Sequence, residues 1–233
     1  MKVAVINFSG NVGKSTVSKY LLQPRIAGAK LIAIETINAD EGDGEAVKGR
    51  EFGVLQEDLM MHDAAVVDIG ASNVEEVFKL MRAYKGSHED FDLFVVPTTR
   101  EPKQAKDTVG TIQALADLGV EPNRIRVVLN RTEPDEDLEA AFSQVTDYAR
   151  KCGTCVVDGR AALHDNELYH RLRNLGQTVE SMLADETDYR ALLRAATDPD
   201  EKHRCAQMIS LRRLALSAKD NLDQVAAAVL GHG

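Results

Sequence analysis

Up to about residue 160, short runs of Val, Ile, Leu and Ala alternate with segments whose apolar residues recur at helical spacing. Each run is apolar at nearly every position, which is typical of strands covered by helices on both faces of a sheet. The alternation predicts βαβ units around a mostly parallel sheet. The predicted strands are residues 3–7, 30–35, 64–69, 93–97, 125–130 and 154–158.

Helices are predicted between these strands and after the last one. Helical spacing covers residues 15–23, 74–84, 103–118 and 137–151, and Pro24 ends the first helix because it pushes Gln23 out of helical backbone angles. Beyond residue 160 the chain is charged and helical, with a break at Asp198-Pro199-Asp200 and a last helix over residues 202–230. We therefore expect a three-layer α/β core over residues 1–160 and a helical region over residues 161–233 packed on it, in one domain.

The 233-residue chain has a formal net charge of -9, with 37 acidic residues against 28 Lys and Arg. Such an acidic chain repels polyanions, so any contact with nucleic acid needs a local basic patch. No run approaches the roughly 20 apolar residues of a membrane span, and no cleavable leader pattern opens the sequence. Three cysteines are too few for a disulfide framework. These features predict a cytoplasmic protein.

The stretch NFSGNVGKSTV, residues 7–17, joins the first predicted strand to the first predicted helix. Such a loop gathers backbone N–H groups around a concavity at a helix N-terminus, where the helix dipole favours an anion. Lys14 is expected to reach the β- and γ-phosphates of a nucleotide, and the Ser15 hydroxyl to coordinate Mg²⁺. A turn that binds no ligand is the alternative, but the position between strand and helix favours phosphate binding.

The loop departs from the usual pattern G-x-x-x-x-G-K-[ST], since Phe8 stands where the first glycine belongs. It resembles the deviant phosphate loop K-G-G-x-G-K-[ST] of the ParA/MinD superfamily, with Ser9 in place of the signature lysine. In that family the lysine reaches the partner's phosphates in an ATP-bound dimer. The resemblance implies a P-loop NTPase fold. It also implies that the nucleotide is contacted by Ser9, Gly10, Asn11, Val12, Gly13, Lys14, Ser15 and Thr16.

Within this superfamily, the segments FSGNVGKSTVSKYLLQPRI and IAIETINADEG most resemble the StbB-type plasmid stability proteins. The resemblance implies a Mg²⁺-dependent ATPase that binds ATP and ADP and forms a nucleotide-dependent homodimer. It further implies a role in plasmid stability, partition or conjugative transfer with a plasmid-encoded DNA-binding partner. Two other functions stay open. One is a dimerisation switch with little hydrolysis, because Ser9 and Ile37 stand where relatives have lysine and aspartate. The other is a small-molecule kinase or synthetase on the same fold.

Carboxylates lie at or just beyond the ends of two predicted strands. Asp68 closes an apolar run, the context of a Walker B aspartate that holds Mg²⁺ through a water, although strand-end aspartates also form turns. After the second strand, relatives carry an aspartate that positions the attacking water, and Glu35 and Asp40 are both candidates. We favour Asp40 as the catalytic partner of Lys14, because it lies beyond the strand in a loop free to approach the γ-phosphate.

Asn130 and Arg131 follow the fifth predicted strand. An asparagine amide can both donate to and accept from an adenine edge, and relatives use an asparagine at this strand end for base contact. A turn-forming asparagine is the alternative. Cys152 and Cys155 have C-x-x-C spacing, but without a second pair they are interpreted as packing residues.

The last predicted helix carries an apolar stripe that we expect to dock on the core rather than on a partner or a membrane. Its polar face has mixed charge, which disfavours membrane binding. The stripe comprises Leu211, Leu214, Ala218, Leu222, Val225 and Val229. The arginines of this region are interspersed with acidic residues and offer at most a weak nonspecific contact with DNA. They are Arg171, Arg173, Arg190, Arg194, Arg212 and Arg213.

Overall fold

The computed structural model describes residues 1–34 and 44–231, and for residues 44–51 it describes the helical backbone alone. The described residues form one six-stranded sheet in the order β2-β3-β1-β4-β5-β6, and all neighbouring strands are parallel. The strands are β1 (Lys2–Val5), β2 (Lys30–Ile34), β3 (Ala65–Ile69), β4 (Leu93–Thr98), β5 (Ile125–Thr132) and β6 (Val156–His164). The predicted α/β class with a parallel sheet is confirmed.

Helices connect the strands and follow the last one. They are α1 (Lys14–Thr16), α2 (Gly44–Met60), α3 (Val74–Ala83), α4 (Pro102–Asp117), α5 (Leu138–Ala141), α6 (Ser143–Cys152), α7 (Leu168–Leu175), α8 (Val179–Ala184), α9 (Tyr189–Ala195) and α10 (Pro199–Leu230). None of the helices that the structure describes is long and apolar enough to cross a membrane.

Side chains of β1 alternate between two cores, one on each face of the sheet. Val3 and Val5 belong to the core that includes α7, α8 and α10. Ala4 and Ile6 belong to the core that includes α3, α4 and α6. Because helices cover both faces, consecutive strand residues are buried, and this explains the nearly continuous apolar runs in the sequence.

The helices differ from the prediction in several places. Helix α2 was not predicted from the sequence. The first predicted helix continues as a π-helix over Val17–Leu22 and a 3₁₀ turn over Gln23–Arg25. Gln23 keeps helical backbone angles, so the expectation that Pro24 would push it out of them is wrong. The helix predicted over residues 137–151 is divided into α5 and α6, because Phe142 leaves helical backbone angles and buries its ring. Helix α10 begins before residue 202, since Pro199 occupies its first turn, where the missing N–H of proline has no cost.

The C-terminal helical region is continuous with the sheet. Strand β6 runs to His164 and so crosses the predicted boundary at residue 160. On α10, Asn221 accepts from the His164 backbone N–H at 2.9 Å and donates to the Ala162 carbonyl at 2.9 Å. Arg25, after the first helix, pairs with Asp223 of α10 at 2.6 Å. The apolar side of α10 is buried in the core on one face of the sheet, and its Asn221 side chain satisfies two backbone groups of the last strand.

Candidate functional site

The predicted phosphate loop lies at the carboxyl end of β1, near the middle of the sheet. Strand β1 pairs with β3 on one side and with β4 on the other. The chain leaves β1 for β2 beyond β3, and later crosses to β4 on the opposite side. Strand order therefore reverses at β1, and the crevice at such a reversal is where open α/β sheets bind their ligands.

The loop backbone is shaped for close approach of a ligand. Gly13 has φ +91°, and a Cβ at this position would lie 2.0 Å from Nδ2 of Asn130. At Gly10 a Cβ would meet nothing within 4 Å, so this part of the loop faces open space. Among the residues that the structure describes, the backbone N–H groups of residues 10–16 have no protein acceptor. A row of free N–H groups at a helix N-terminus fits an anion.

Lys14 spans this loop from the first turn of the helix. Its buried ammonium donates to the Ser9 carbonyl at 2.7 Å and to the Asn7 carbonyl at 3.1 Å. Burial lowers the pKa of Lys14, and attraction to the Asp68 carboxylate opposes this effect. The ammonium thus lies on two neutral carbonyls, which a phosphate oxygen would outcompete because the bond would then join opposite charges.

Asp68 is brought to the loop by the sheet register. In β3 it lies beside Val5, the last residue of β1, and beside Ala33 of β2. Its carboxylate is half-buried, and the Ser15 hydroxyl at the start of the helix is exposed. A carboxylate and a hydroxyl near a phosphate site suit Mg²⁺, which takes few protein oxygens and completes its shell with water and phosphate. Within the described residues, no group of three or more His, Cys, Asp or Glu side chains could hold a metal by itself.

A buried polar cluster, which the sequence did not reveal, supports the start of the loop. The Asn7 side chain accepts from the Ser9 N–H at 2.7 Å and donates to the Pro97 carbonyl at 2.9 Å. It also donates to the Thr108 hydroxyl of α4 at 2.8 Å, and Thr108 lies 2.9 Å from the Thr98 hydroxyl. The loop is thereby joined to the end of β4 and to α4. The one feature of the sequence that could have indicated this cluster is the polar residue Asn7 directly after an apolar strand.

A second threonine of α4 contacts the next residue of the loop. The Thr111 hydroxyl accepts from the Phe8 backbone N–H at 3.0 Å. Thr108 and Thr111 are three residues apart and lie on one side of the helix. Because both are fully buried, α4 is fixed to the loop through hydrogen bonds rather than through apolar packing alone.

Asn130 and Arg131 take different positions at the end of β5. The buried Asn130 amide donates to the Val12 carbonyl at 2.7 Å, so it supports the loop directly. Arg131 is exposed with φ +59°, and its carbonyl accepts from Arg100 at 2.8 Å. The structure thus brings Asn130 to the loop through a main-chain contact that the sequence reasoning missed. Base recognition by these two residues stays a prediction.

Glu35 and Asp40, the candidates for positioning the attacking water, lie outside the described residues. The neighbouring strand ends are described: Ile34 of β2 accepts from the Gly70 N–H and from the Asn73 side chain, both at 3.0 Å. The described part of β2 therefore ends at Ile34, beside Ile69 of β3.

The C-x-x-C pair has the properties of packing residues. Cys152 is exposed, Cys155 is half-buried, and both are free thiols. Burial, with a smaller contribution from Cys152, raises the pKa of Cys155 to about 11. A thiol that stays protonated at neutral pH is a poor nucleophile and a poor metal ligand.

No protein-family model matches the sequence. No curated protein matches it either. Solved structures do resemble the fold. Apo McdA from Cyanothece is 14% identical with a TM-score of 0.51, over 78% of this chain and 92% of that one. The pnob8 ParA protein is 12% identical with a TM-score of 0.53, over 100% of this chain and 99% of that one. The chain therefore has a fold similar to that of ParA-type proteins, as the loop sequence predicted.

Proposed function

We propose that the protein is a ParA-like nucleotide switch that binds ATP and ADP with Mg²⁺ at residues 9–16. One observation carries this proposal: free loop N–H groups and the Lys14 ammonium converge where the strand order of the sheet reverses. Such a site favours an anion through hydrogen bonds, a positive charge and the helix dipole together. The fold shared with pnob8 ParA supports the same conclusion.

Each residue of the site has a proposed role. Lys14 binds the β- and γ-phosphates, while Ser15 and Asp68 hold Mg²⁺, which supplies charge neutralisation at the phosphates. Asp40 orients the attacking water, a role that rests on the sequence alone. Asn130 keeps the loop in shape and, with Arg131, borders the base.

The contacts of Lys14 connect the nucleotide site to helix α4. When Lys14 turns to a phosphate, the carbonyls of Asn7 and Ser9 lose their donor. The Asn7 side chain is bonded to Thr108 of α4, so a change at the loop alters the contacts of this helix. A nucleotide that favours one of two loop arrangements can thereby shift the affinity for a second subunit.

A switch without efficient hydrolysis is the second candidate, and the position of Ser9 favours it. Ser9 is 6% exposed, its N–H is bonded to Asn7 and its carbonyl to Lys14. A residue held inward in this way offers no cation to the phosphates of a partner subunit. In this form, nucleotide binding controls association and hydrolysis contributes little.

The cellular role is proposed from the resemblance to StbB-type proteins. It comprises plasmid stability, partition or conjugative transfer, a nucleotide-dependent homodimer, and a plasmid-encoded DNA-binding partner. A small-molecule kinase or synthetase needs a substrate loop with several convergent polar side chains, and the acidic stretch 40–45 of the sequence offers no clear one.

Calorimetric titration with ATP and Mg²⁺ tests the proposal. The native protein should bind with a Kd in the micromolar range, and Lys14→Ala should abolish binding by removing the only buried cation among the loop residues that the structure describes. Lys151→Ala is the matched control, because Lys151 is exposed in the last turn of α6, which precedes the edge strand β6. Unchanged binding in Lys14→Ala would contradict the phosphate site.

Two further measurements distinguish the candidates. Phosphate release above that of Lys14→Ala identifies an ATPase, and no release above that variant identifies a binding switch. Sedimentation with ADP and with a non-hydrolysable ATP analogue measures whether association depends on the nucleotide. Equal sedimentation with both nucleotides would contradict a switch of either kind.

A further inference from the structure

A groove rich in arginine runs between α9 and α10, away from the phosphate loop. Two cavities of about 380 and 370 Å³ adjoin there and share Arg190, Ile209 and Arg213 in their walls. We call this surface the arginine groove and define it by Arg190, Leu193, Arg194, Ile209, Arg213 and Leu216.

The guanidinium groups of this groove have no partner within the part of the chain that the structure describes. Arg190, Arg194 and Arg213 form no ion pair or side-chain hydrogen bond with any described residue. Four arginines elsewhere are paired with carboxylates at 3.3 Å or less: Arg25 with Asp223, Arg150 with Glu139, Arg160 with Asp158 and Arg171 with Glu167. In a chain with more acidic than basic residues, three unpaired arginines that line adjoining cavities form a local concentration of positive charge.

The acidic residues beside the groove are mostly engaged in local bonds. Asp188 caps α9 by accepting from the Ala191 N–H at 2.9 Å. Asp185 accepts from the hydroxyls of Thr187 and Tyr189, each at 2.6 Å, and Arg212 attracts it. Glu186 remains as an acidic residue at one end. The second cavity is lined by three arginines and by no acidic residue.

Between the arginines the groove is apolar. Leu193 and Ile209 are partly exposed, and Leu216 is 56% exposed. A binding surface that combines an aliphatic centre with guanidinium groups at its edges complements a ligand with one apolar face and carboxylates beside it. Arginine also suits carboxylates, because its planar fork can bind both oxygens.

We propose that the arginine groove binds an acidic, amphipathic peptide segment of a partner protein. Leucines of the segment occupy the aliphatic centre, and its Glu or Asp side chains pair with Arg190, Arg194 and Arg213. A nucleic-acid backbone fits less well, since it offers negative charge without an apolar face for Leu193, Ile209 and Leu216. This interaction goes beyond the proposed nucleotide switch and does not require it.

Fluorescence anisotropy with labelled synthetic peptides tests this interaction on the full chain. The main probe is a helical peptide of Glu and Leu with its leucines on one face. One comparison peptide has Lys at each Glu position, and another has Ser at each Leu position. A labelled DNA duplex is the fourth probe, and all four are measured at the same low salt concentration.

The Glu and Leu peptide should bind the native protein, and both comparison peptides should bind more weakly. The double variant Arg190→Glu with Arg194→Glu should weaken binding about tenfold or more, because it places carboxylates against carboxylates. The double variant Arg82→Glu with Arg173→Glu changes the net charge equally at exposed arginines outside the groove and should leave binding unchanged. Leu216→Ala should weaken binding without unfolding, since this leucine is largely exposed.

Three results would overturn the proposal. These are no binding of the Glu and Leu peptide, equal losses in the two double variants, and equal binding of the peptide with Ser at the Leu positions. Binding of the DNA duplex that depends on Arg190 and Arg194 and displaces the peptide would assign the groove to nucleic acid instead. Lys14→Ala should still bind the peptide, because Lys14 lies outside the groove. The peptide measurement therefore tests the arginine groove independently of the proposed nucleotide site.

Discussion

The side-chain amide of Asn130 donates a 2.7 Å hydrogen bond to the Val12 carbonyl and joins the end of β5 to the phosphate loop. The same nitrogen lies 2.0 Å from where a Cβ of residue 13 would be. A Cβ at position 13 would therefore have to displace the Asn130 amide from its hydrogen bond to Val12. This contact joins residues 118 positions apart in the sequence, and it makes the shape of the loop depend on the fifth strand.

Gly13→Ala should lower the free energy of unfolding by about 2 kcal/mol or more. Part of this loss is the strain of a left-handed backbone, roughly 1–2 kcal/mol for a residue with a Cβ, and the rest is the clash with Asn130. In an Asn130→Ala background the clash is absent, so the further cost of Gly13→Ala should fall to the backbone strain. Urea unfolding of the four proteins measures this coupling. Equal costs of Gly13→Ala in the two backgrounds would show that the contact is absent.

Thr108→Val should destabilise the protein by about 1–3 kcal/mol, because it leaves a buried N–H of Asn7 without its acceptor. Thr146→Val is the control. The Thr146 hydroxyl bonds only to carbonyls of its own helix region, those of Phe142 and Ser143, so its loss should stay within about 0.5 kcal/mol. Urea unfolding measures the loss of stability in both variants. Equal losses in Thr108→Val and Thr146→Val would contradict the role of the polar cluster in supporting the loop.

The Asp223 carboxylate of α10, which pairs with Arg25, should stabilise the protein less in acid than at neutral pH. Burial alone would raise the pKa of Asp223, but hydrogen bonds from Lys219 and Arg25 outweigh it, so the pKa is lowered from 3.8. A carboxyl whose pKa is lower in the folded state than in the unfolded state stabilises the folded protein at neutral pH. This stabilisation is lost as the pH falls below the unfolded-state pKa and through the folded-state pKa. Asp223→Asn should therefore be less stable than the native protein at pH 7, and the difference should close in acid.

Asp220→Asn is the control for this pH dependence, since Asp220 is exposed on the same helix. Its stability should follow that of the native protein across the same pH range. A stability difference between the native protein and Asp223→Asn that stays constant as the pH falls would contradict the role of the Asp223 carboxylate.

The cysteines should react with a maleimide in a fixed order at pH 8. Exposed Cys152 should be alkylated first, while Cys155, with its pKa raised to about 11, and buried Cys205 should react slowly. Unfolding in urea should make all three react at similar rates. Mass spectrometry of digested samples identifies the modified residue, and faster labelling of Cys155 than of Cys152 in the native protein would contradict the packing role.

Much of the fold could be predicted because the determining signals are local. The strands are apolar at consecutive positions, since two cores bury them from both faces. The phosphate loop carries glycines whose spacing is set by the turn itself. The break at Phe142 could not be predicted, because the apolar period continues through it while burial of the ring changes the backbone.

The contacts around the loop were missed for a different reason. Asn7 meets Thr108 across 101 positions in the sequence. A local pattern carries no information about such pairs, so Asn7 was read as a strand end and Thr108 as part of a helix. Sequence reasoning identified the residues that face the ligand better than the residues that hold the loop in place.

Backbone amide chemical shifts on addition of ATP and Mg²⁺ test the phosphate site most directly. The account predicts that the largest changes fall on the N–H groups of residues 10–16, which have no acceptor within the described chain. It also predicts that the changes are lost in Lys14→Ala and kept in Lys151→Ala. Shifts that leave residues 10–16 unchanged while other amides move would contradict the phosphate site.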